Sequence, residues 1–477
     1  MGARTGKEYL EGLRDDRAVW LEGERVGDVT EHPAFAGALR TMVELYDLQH
    51  AETDACLLRD GATGELRSTS HVIPRSFDDL ARRHVALRRI AQHTVGLMGR
   101  TPDYLNVTVA GFAGRADVWA GDGRNEAGAA RLVAYQEELS RRDLALTHTI
   151  VHPTVDKGMP EVAAGNGEVA LHKVADTEHG IVVRGARVLA TLAPFADELL
   201  VYTGQPIPKD ASRYALSFVV PMSTPGLKVL CRDSFSAGNG RFDRPFSSRF
   251  DEQDAFVVFD DVEVPYDRLF IDGDVEVYNK VMTAGWVANV MQQTTIRAHV
   301  KLEFAYELAT RMANAINAND AGTNEMLGEL WTYGELTRSA LAAAEAGAAD
   351  CGNGTWFCDE RPFRALRPTL PRWFPRVNEI LKLIGSHNLL ATPAAADFDD
   401  PELAGFVARY FQGADGVDAH ERVGLFRAAW DFAASALGER NELYERYYLA
   451  SATRTYQLAH LAAKREIGDS LVDTVLA

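Results

Sequence analysis

The order of its hydrophobic periodicities is the feature of this 477-residue chain that most limits its fold. Up to about residue 145 the apolar residues recur at helical spacing, as in HVALRRIAQHTVGLMG. From about 165 to 265 short β-rich runs alternate with turn residues, and beyond about 278 helical spacing returns. We therefore predict an α+β chain with an N-terminal helical domain at 1–150, a central antiparallel β domain at 151–277 and a C-terminal helical bundle at 278–477.

The stretch MGRTPDYLNV predicts a break between two helices. Proline disfavours helical geometry in the residue before it, so the preceding helix should end near Gly99 or Arg100. Thr101 is then placed to cap a new helix that begins at Pro102. This arrangement would hold Arg100 at the break, where its cation can point into a cleft.

Two further local predictions concern the β-rich part. In GIVVRGARVLAT, the pair Arg184-Gly185 has the composition of a hairpin turn. The stretch TGQPIPKDASRY, at 203–214, is polar and contains prolines, so we predict a mobile loop over a site.

Composition excludes several classes of function. The net charge of −18, with no block of Lys and Arg, disfavours nucleic-acid binding because the acidic surface repels phosphates. No apolar run approaches the roughly 18 residues of a membrane span, and the charged start lacks the apolar core of a signal peptide. Four scattered cysteines favour reduced thiols and argue against structural zinc or another metal site. We therefore predict a cytoplasmic protein that binds neither membranes nor nucleic acid.

The motifs that are missing also guide the prediction. The sequence completes no GxGxxG after a strand and contains no GxxxxGK[ST], HExxH or GxSxG. A built-in nicotinamide site of the Rossmann type is therefore not supported. A flavin held between helices and a β domain needs no short glycine fingerprint, so a flavin site remains open.

Four residues are candidates for a site, and each has a structural alternative. His148 and His152 flank a short apolar run in LTHTIVHPTVDK, and either one can be a buried structural histidine. Arg100 can pair with a carboxylate at a helix end, and Tyr104 can be a core aromatic residue with its hydroxyl at the rim.

Six separated motifs, taken in order, resemble one enzyme family. They are GKEYLEGLRDDRAVWLEGERVGDVTEHPAF, MGRTPDY, HTIVHPTVDK, VVRGARVLATLAP, PFSSRFDEQDA leading into FDDVEVPYDRLF, and ERNELYERYY. From roughly residue 5 to 450 the chain resembles the oxygenase component of the two-component 4-hydroxyphenylacetate 3-monooxygenase family.

This resemblance implies an acyl-CoA dehydrogenase-like fold, a homotetramer and a reaction. Reduced FAD, supplied by a separate flavin reductase, reacts with O2 to give a C4a-hydroperoxide that hydroxylates a phenol at the ortho carbon, forming a catechol. The site must exclude water, because water or a stray proton diverts this intermediate to hydrogen peroxide.

The resemblance also implies roles for particular residues. Arg100, Tyr104 and His148 would bind the phenolic hydroxyl and serve catalysis, with Arg100 also near the flavin. The expected FAD-binding residues are Thr154, Val155, Asp156, Lys157, Thr191, Ser435, Ala436, Leu437, Gly438 and Arg440.

Two departures from the family pattern bear on the flavin and the substrate. Lys157 stands where the family often has an arginine, so a bidentate contact is replaced by a point charge. Thr203-Gly204 stands where some members hold the substrate carboxylate with a Ser-Thr pair, so one hydroxyl is lost. The substrate is therefore open among 4-hydroxyphenylacetate, tyrosine, a hydroxycinnamate, a carrier-bound tyrosyl derivative and a chlorophenol or nitrophenol.

Other readings of the same fold remain alternatives. A 4-hydroxybutyryl-CoA dehydratase needs cysteine ligands for an iron–sulfur cluster, and the segments expected to supply them contain none. An acyl-CoA dehydrogenase needs a carboxylate base, for which Glu303 and Glu379 are available. The third alternative is a catalytically silent assembly protein.

Overall fold

The computed structural model describes residues 2–202, 204–236, 238, 240–281, 286–466 and 471–476. The chain forms two compact units. The first comprises residues 1–239, 247–300 and 348–358, and the second comprises 240–246, 301–347 and 359–477. The three-domain division expected from the sequence stays a prediction.

The first unit combines helices with all the described strands. Its helices are α1 (Gly6–Gly12), α2 (Ala36–Ala51), α3 (Thr53–Cys56), α4 (Phe77–His93), α5 (Pro102–Gly114), α6 (Ala116–Ala120), α7 (Glu126–Arg142), α8 (Ser247–Phe250), α9 (Val275–Val281) and the first half of α10 (Trp286–Ala315). Its strands are β1 (Val19–Leu21), β2 (Glu24–Val26), β3 (Leu57–Arg59), β4 (Leu66–Ser68), β5 (Leu146–Thr149), β6 (His172–Asp176), β7 (Gly180–Thr191), β8 (Glu198–Val201), β9 (Leu216–Pro221), β10 (Leu227–Cys231), β11 (Asp254–Pro265), β12 (Leu269–Asp272), β13 (Ala349–Asp350) and β14 (Trp356–Phe357).

Two larger sheets organise this unit. One has the strand order β2-β1-β10-β11-β7-β6 and the other β12-β9-β8-β5, while β3-β4 and β13-β14 form two-stranded ladders. Most neighbours are antiparallel, as expected, but β1 pairs with β10 and β5 pairs with β8 in parallel. Alternating Val and Phe side chains of β11, such as Val257 and Phe259, are fully buried, as the β-branched and aromatic composition of this run favours.

The predicted hairpin at Arg184-Gly185 is wrong. Both residues lie inside β7, which runs unbroken for 12 residues beside β11. The register shifts between Phe259 and Val262 of β11, so Gly185 lies opposite a β-bulge of that strand and not in a turn. Gly185 has φ +116°, and an added Cβ would lie 2.6 Å from the carbonyl oxygen of Ala170, so no side chain fits there.

The predicted start of the second helix is confirmed, but the helix before it ends earlier than predicted. Helix α5 begins at Pro102, with Thr101 in the N-cap position but making no side-chain capping hydrogen bond. The preceding helix α4 ends at His93, six residues before Gly99. Val95 and Gly96 adopt φ values of 47° and 70°, which a right-handed helix does not allow.

The second unit is helical. It contains the rest of α10 and α11 (Ala321–Ala346), α12 (Glu360–Leu366), α13 (Leu370–Gly385), α14 (Ala395–Asp399), α15 (Ala404–Tyr410), α16 (Ala419–Ala433), α17 (Ala436–Tyr447), α18 (Ala452–Glu466) and α19 (Leu471–Leu476). Helices α13, α16 and α17 pack on one another, and the buried face of α13 includes Val377, Ile380 and Leu381. None of the described helices is both long and apolar enough to cross a membrane.

Candidate active site

Arg100 is held immediately before α5 by contacts on both sides. Its backbone N–H donates a 2.7 Å hydrogen bond to Oε1 of Glu252, a fully buried carboxylate. Its guanidinium carbon lies 4.0 Å from the centre of the Tyr104 ring, in the first turn of α5. The cation is therefore fixed over an aromatic face, which attracts it electrostatically.

His148 lies next to Tyr104 and comes from the sheet β12-β9-β8-β5. It lies on β5, whose four residues are all buried. Its ring centre lies 5.6 Å from that of Tyr104 and 5.4 Å from that of Tyr202, which follows β8. The structure thus brings the three sequence-predicted residues Arg100, Tyr104 and His148 together, with Tyr202 behind the histidine.

The electrostatics of this cluster set the protonation of His148. Burial, reinforced by the positive charge of Arg100, holds the pKa of the His148 imidazole well below its ordinary value. At neutral pH the ring is therefore uncharged, with one nitrogen that donates a hydrogen bond and one that accepts. The cluster combines one permanent cation with a neutral acceptor, a combination suited to an acidic hydroxyl group.

Thr191, the predicted flavin contact at the end of β7, is buried in a strained segment. Leu189 and Leu192 on either side have φ values of 68° and 62°, in the left-handed region that such side chains rarely adopt. The Thr191 hydroxyl donates to Oδ1 of Asp254 at 2.8 Å, because a carboxylate oxygen can only accept. Its lone pairs are thereby directed to accept a hydrogen bond from another N–H or O–H donor.

Gln253 adds a second polar group beside Thr191. Its carbonyl oxygen accepts a 2.6 Å hydrogen bond from the N–H of Leu192. Its side chain is buried, and neither the amide nitrogen nor the amide oxygen has a hydrogen-bond partner in the part of the chain that the structure describes. An unpaired buried amide is costly, so this position is suited to a ligand that both donates and accepts.

The remaining predicted residues of the first unit lie in loops. Thr154, Val155, Asp156 and Lys157 are all exposed, and Oδ1 of Asp156 accepts a hydrogen bond from the N–H of Gly158 at 2.7 Å. Thr203 lies outside the described residues.

Gly204 has no room for a side chain. An added Cβ would lie 2.2 Å from the carbonyl oxygen of Ile150. The hydroxyl that some family members place here therefore cannot be restored by a simple substitution.

The Ser435–Arg440 stretch belongs to the second unit and begins α17. Ser435 is the N-cap, and its hydroxyl accepts a hydrogen bond from the N–H of Gly438 at 3.1 Å. An added Cβ at Gly438 would lie 2.8 Å from the carbonyl oxygen of Phe432, so the glycine is needed for close packing. The Arg440 guanidinium carbon lies 4.5 Å from the centre of the Tyr444 ring. Ala436 and Leu437 complete the first turn.

Three of the residues around this site were missed by the sequence analysis. Glu252 and Gln253 belong to the motif PFSSRFDEQDA that supports the family resemblance, but the motif alone assigns them no role. Tyr202 follows an apolar run that predicts a strand, and nothing local indicates that its ring stacks on His148. Each depends on contacts between residues distant in sequence.

Comparison with known proteins identifies the family. Residues 5–271 match the family model described as 4-hydroxyphenylacetate 3-hydroxylase N terminal, and residues 279–477 match its C-terminal counterpart. The chain belongs to the 4-hydroxyphenylacetate 3-hydroxylase family.

Relatives within the 4-hydroxyphenylacetate 3-hydroxylase family are similar over nearly the whole chain. The 4-hydroxyphenylacetate 3-monooxygenase oxygenase component of Thermus thermophilus is 38% identical over 97% of this chain and 95% of its own length. A crystal structure of such an oxygenase component, complexed with FAD and 4-hydroxyphenylacetate, superposes with a TM-score of 0.91 at 38% identity, covering 95% of this chain and 94% of that one. The resemblance inferred from the motifs is confirmed.

A more distant neighbour bears on the fold alone. A candidate acyl-CoA dehydrogenase from Mycobacterium smegmatis superposes with a TM-score of 0.50 at 14% identity, covering 90% of this chain and 91% of that one. The predicted acyl-CoA dehydrogenase-like fold is confirmed. Glu303 and Glu379, the carboxylates available for a dehydrogenase base, are both exposed. Among the described residues no group of three His, Cys, Asp or Glu side chains is placed to hold a metal ion.

Proposed function

We propose that this protein is the oxygenase component of a two-component monooxygenase that hydroxylates 4-hydroxyphenylacetate, or a closely related phenolic acid, ortho to the hydroxyl group. The observation that carries the proposal is the buried cluster of Arg100, Tyr104 and the uncharged His148. In the overall reaction one atom of O2 enters the ring, the other leaves as water, and reduced FAD becomes FAD. Reduced FAD, when bound, supplies the two electrons that activate O2.

The three residues act on the phenol. The neutral His148 ring accepts a hydrogen bond or the proton of the phenolic hydroxyl, and the positive charge of Arg100 favours the phenolate. Tyr104 can donate to the same oxygen. A more phenolate-like ring is more electron-rich at the ortho carbon, which is the atom that receives oxygen. Tyr104, His148 and Tyr202 are each at least 93% buried, which keeps water from this end of the site.

The proposal for FAD rests on unpaired or half-used polar groups. Thr191 offers an acceptor, and the Gln253 amide offers both a donor and an acceptor, so the residues present fit a flavin ring. For Ser435, Ala436, Leu437, Gly438 and Arg440, which belong to the second unit, the assignment to FAD rests on the family resemblance alone. We assign the exposed segment Thr154–Lys157 to the same cofactor.

Assembly, location and partner are also proposed. Reduced FAD would come from a separate flavin reductase, since the sequence contains no nicotinamide fingerprint. Leu471, Val472, Val475 and Leu476 of α19 are between 61% and 85% exposed, which supports burial of this helix in a homotetramer. The free thiols at all four cysteines support a reducing, cytoplasmic compartment.

A single-turnover experiment tests the proposed function. The protein with stoichiometric reduced FAD is mixed with oxygenated buffer, with and without 4-hydroxyphenylacetate, while flavin absorbance, catechol and hydrogen peroxide are measured. We expect delayed flavin oxidation and near-stoichiometric catechol in the wild type, and peroxide without catechol in Arg100→Ala. Arg184→Ala, which removes an exposed arginine paired with Asp261, is the control and should behave as wild type. Flavin oxidation at the rate of free reduced FAD, with no product from any para-substituted phenol, would refute the proposal.

A further inference from the structure

A cavity of about 260 Å³ in the first unit has the buried His152 in its wall. Its walls come from the segments that follow β5 and β8 and from α9. They include Ile150, His152, Glu161, Gln205 and Tyr278. Neither the phenol-binding cluster nor the predicted flavin contacts account for the polar groups beside it.

Arg187 is tied to this wall by its side chain. It lies on β7 and is completely buried. Its Nη1 donates to the carbonyl oxygen of Ile150 at 3.1 Å, while Nε and Nη2 have no hydrogen-bond partner among the described residues. These two nitrogens form the side of the guanidinium that binds a carboxylate or phosphate through two parallel hydrogen bonds.

His152 is the second unsatisfied group. It is 5% exposed, and both of its ring nitrogens are buried without a partner among the described residues. Burial first, and the charge of Arg187 second, lower its pKa to about 3, so the ring is neutral and carries one N–H donor. Four polar atoms on two neighbouring side chains are therefore buried without a partner, and an unpaired buried charge is strongly destabilising.

Glu161 is the carboxylate of the cavity wall that lies within the field of Arg187. Burial raises its pKa, and the charge of Arg187 opposes this rise. It makes no hydrogen bond to Nε or Nη2 of Arg187, which leaves that side of the guanidinium available. The chain thus holds a buried cation without using its own nearby carboxylate to neutralise it.

Gly204 lies against the same carbonyl group that orients Arg187. The Ile150 carbonyl oxygen that orients Arg187 is also the atom that an added Cβ at residue 204 would approach to 2.2 Å. A side-chain hydroxyl at 204 is therefore excluded by the same carbonyl group. Arg187 lies on β7 and His152 in the segment after β5.

We propose that Arg187 and His152 form a subsite for an oxyanion, with Nε and Nη2 of Arg187 binding two oxygens and the His152 N–H supporting one of them. Two sources carry this chemistry: the carboxylate of a phenolic acid and the phosphate of the flavin. The assignment to the carboxylate of a phenolic acid rests on the proposed function, whereas the binding of an anion as such does not. Nε and Nη2 of Arg187 are closed to solvent in this structure.

Equilibrium binding to matched variants tests the subsite. Dissociation constants are measured by calorimetry for 4-hydroxyphenylacetate and its uncharged amide, and for FAD and riboflavin, which lacks phosphate. The variants are Arg187→Met, Arg187→Lys, His152→Asn and, as the control, Arg184→Met on the exposed part of the same strand. We expect Arg187→Met to weaken one anionic ligand about 10- to 100-fold while its uncharged counterpart changes less than about twofold. The loss of affinity in Arg187→Lys should be smaller than in Arg187→Met, because lysine keeps the charge but cannot form the second parallel hydrogen bond.

The pattern of losses identifies the source. Selective loss of the acid over the amide assigns the subsite to the carboxylate, and selective loss of FAD over riboflavin assigns it to the phosphate. Unchanged binding, or equal losses for charged and uncharged ligands, overturns the subsite. If Arg187→Met does not fold, His152→Asn and Arg187→Lys carry the same comparison. A wild-type protein that shows this selectivity yet forms no catechol keeps the subsite and refutes the proposed function.

Discussion

The guanidinium carbon of Arg100 lies 4.0 Å from the centre of the Tyr104 ring, and Glu252 holds the backbone N–H of the same arginine. The cation is therefore positioned by an aromatic face and by a buried carboxylate that comes from a different part of the chain. This relationship separates two roles of Tyr104, as support for Arg100 and as a possible donor to the phenol.

Two substitutions of Tyr104 distinguish these roles. Tyr104→Phe keeps the ring under Arg100 and removes only the hydroxyl, so we expect phenol affinity to fall about tenfold, the value of one hydrogen bond. Tyr104→Ala also removes the support of the cation, so catechol yield per reduced FAD should fall further and peroxide should rise. Equal effects of the two substitutions on catechol yield would show that the ring does not position Arg100. The measurement is the product ratio in single turnover.

His148 gives a prediction about pH. Because burial and Arg100 hold its pKa well below the ordinary value, the folded protein keeps the ring neutral across the neutral range. Protonation of His148 should therefore not lower the rate of hydroxylation near pH 6.5. The acid side of the pH profile should be the same in the wild type and in His148→Asn. The substitution itself should slow hydroxylation about 100-fold or more if the ring accepts the phenol proton. An acid limb near pH 6.5 that disappears in His148→Asn would contradict the neutral-ring assignment.

The sequence predicts that Arg100, Tyr104 and His148 belong to one site, but it does not predict the residues that hold them in place. Arg100, Tyr104 and His148 belong to short motifs, and the break before Pro102 follows from local proline chemistry, so motif and geometry agree. Glu252, Tyr202 and Arg187 make contacts with residues distant in sequence, as in the hydrogen bond from the Arg100 N–H to Glu252, 152 residues further along the chain. No local pattern records such contacts.

The wrong hairpin prediction and the misplaced end of α4 have local causes. A glycine after a polar residue has the same composition in a hairpin and in a strand opposite a bulge, as at Gly185, and only the register with β11 distinguishes them. Helix α4 ends early because Val95, a β-branched residue, adopts a left-handed conformation that its type does not signal.

Gly204→Ala should be strongly disfavoured. Its Cβ would lie 2.2 Å from the Ile150 carbonyl oxygen, so the backbone must shift, at a cost of about 1–3 kcal/mol of unfolding free energy. Gly27→Ala is the matched control, because an added Cβ there meets no atom within 4 Å. Thermal unfolding of both variants checks the prediction, and equal midpoints would show that this part of the backbone adapts.

Asp103, in the first turn of α5, should make stability depend on pH. Burial raises its pKa from 3.8 to about 6, although Gln293 donates a 2.9 Å hydrogen bond to Oδ2. The folded state thus holds this proton more tightly than the unfolded state, so the contribution is complete below pH 3.8 and is lost as the pH rises through 6. Relative to Asp103→Asn, the wild type should lose about 2 kcal/mol between pH 4 and pH 7. Urea unfolding at both pH values measures this difference, and parallel changes in the two proteins would assign the proton elsewhere.

The ion pair between Lys301 and Glu445 is the buried charge pair to test in the second unit. Lys301 Nζ lies 2.9 Å from Oε1 of Glu445, and both side chains are 3% exposed. Lys301→Met leaves a buried carboxylate without this partner and should cost about 3–5 kcal/mol, whereas Lys301→Met with Glu445→Leu should recover much of the loss. Lys382 and Glu439, 2.7 Å apart but 42% and 57% exposed, provide the control, since Lys382→Met should change stability by about 0–1 kcal/mol. Equal losses in the single and double variants of the buried pair would mean that the cost comes from losing the Lys301 cation itself, whose Nζ lies 4.6 Å from the centre of the Phe374 ring, and not from the carboxylate left behind.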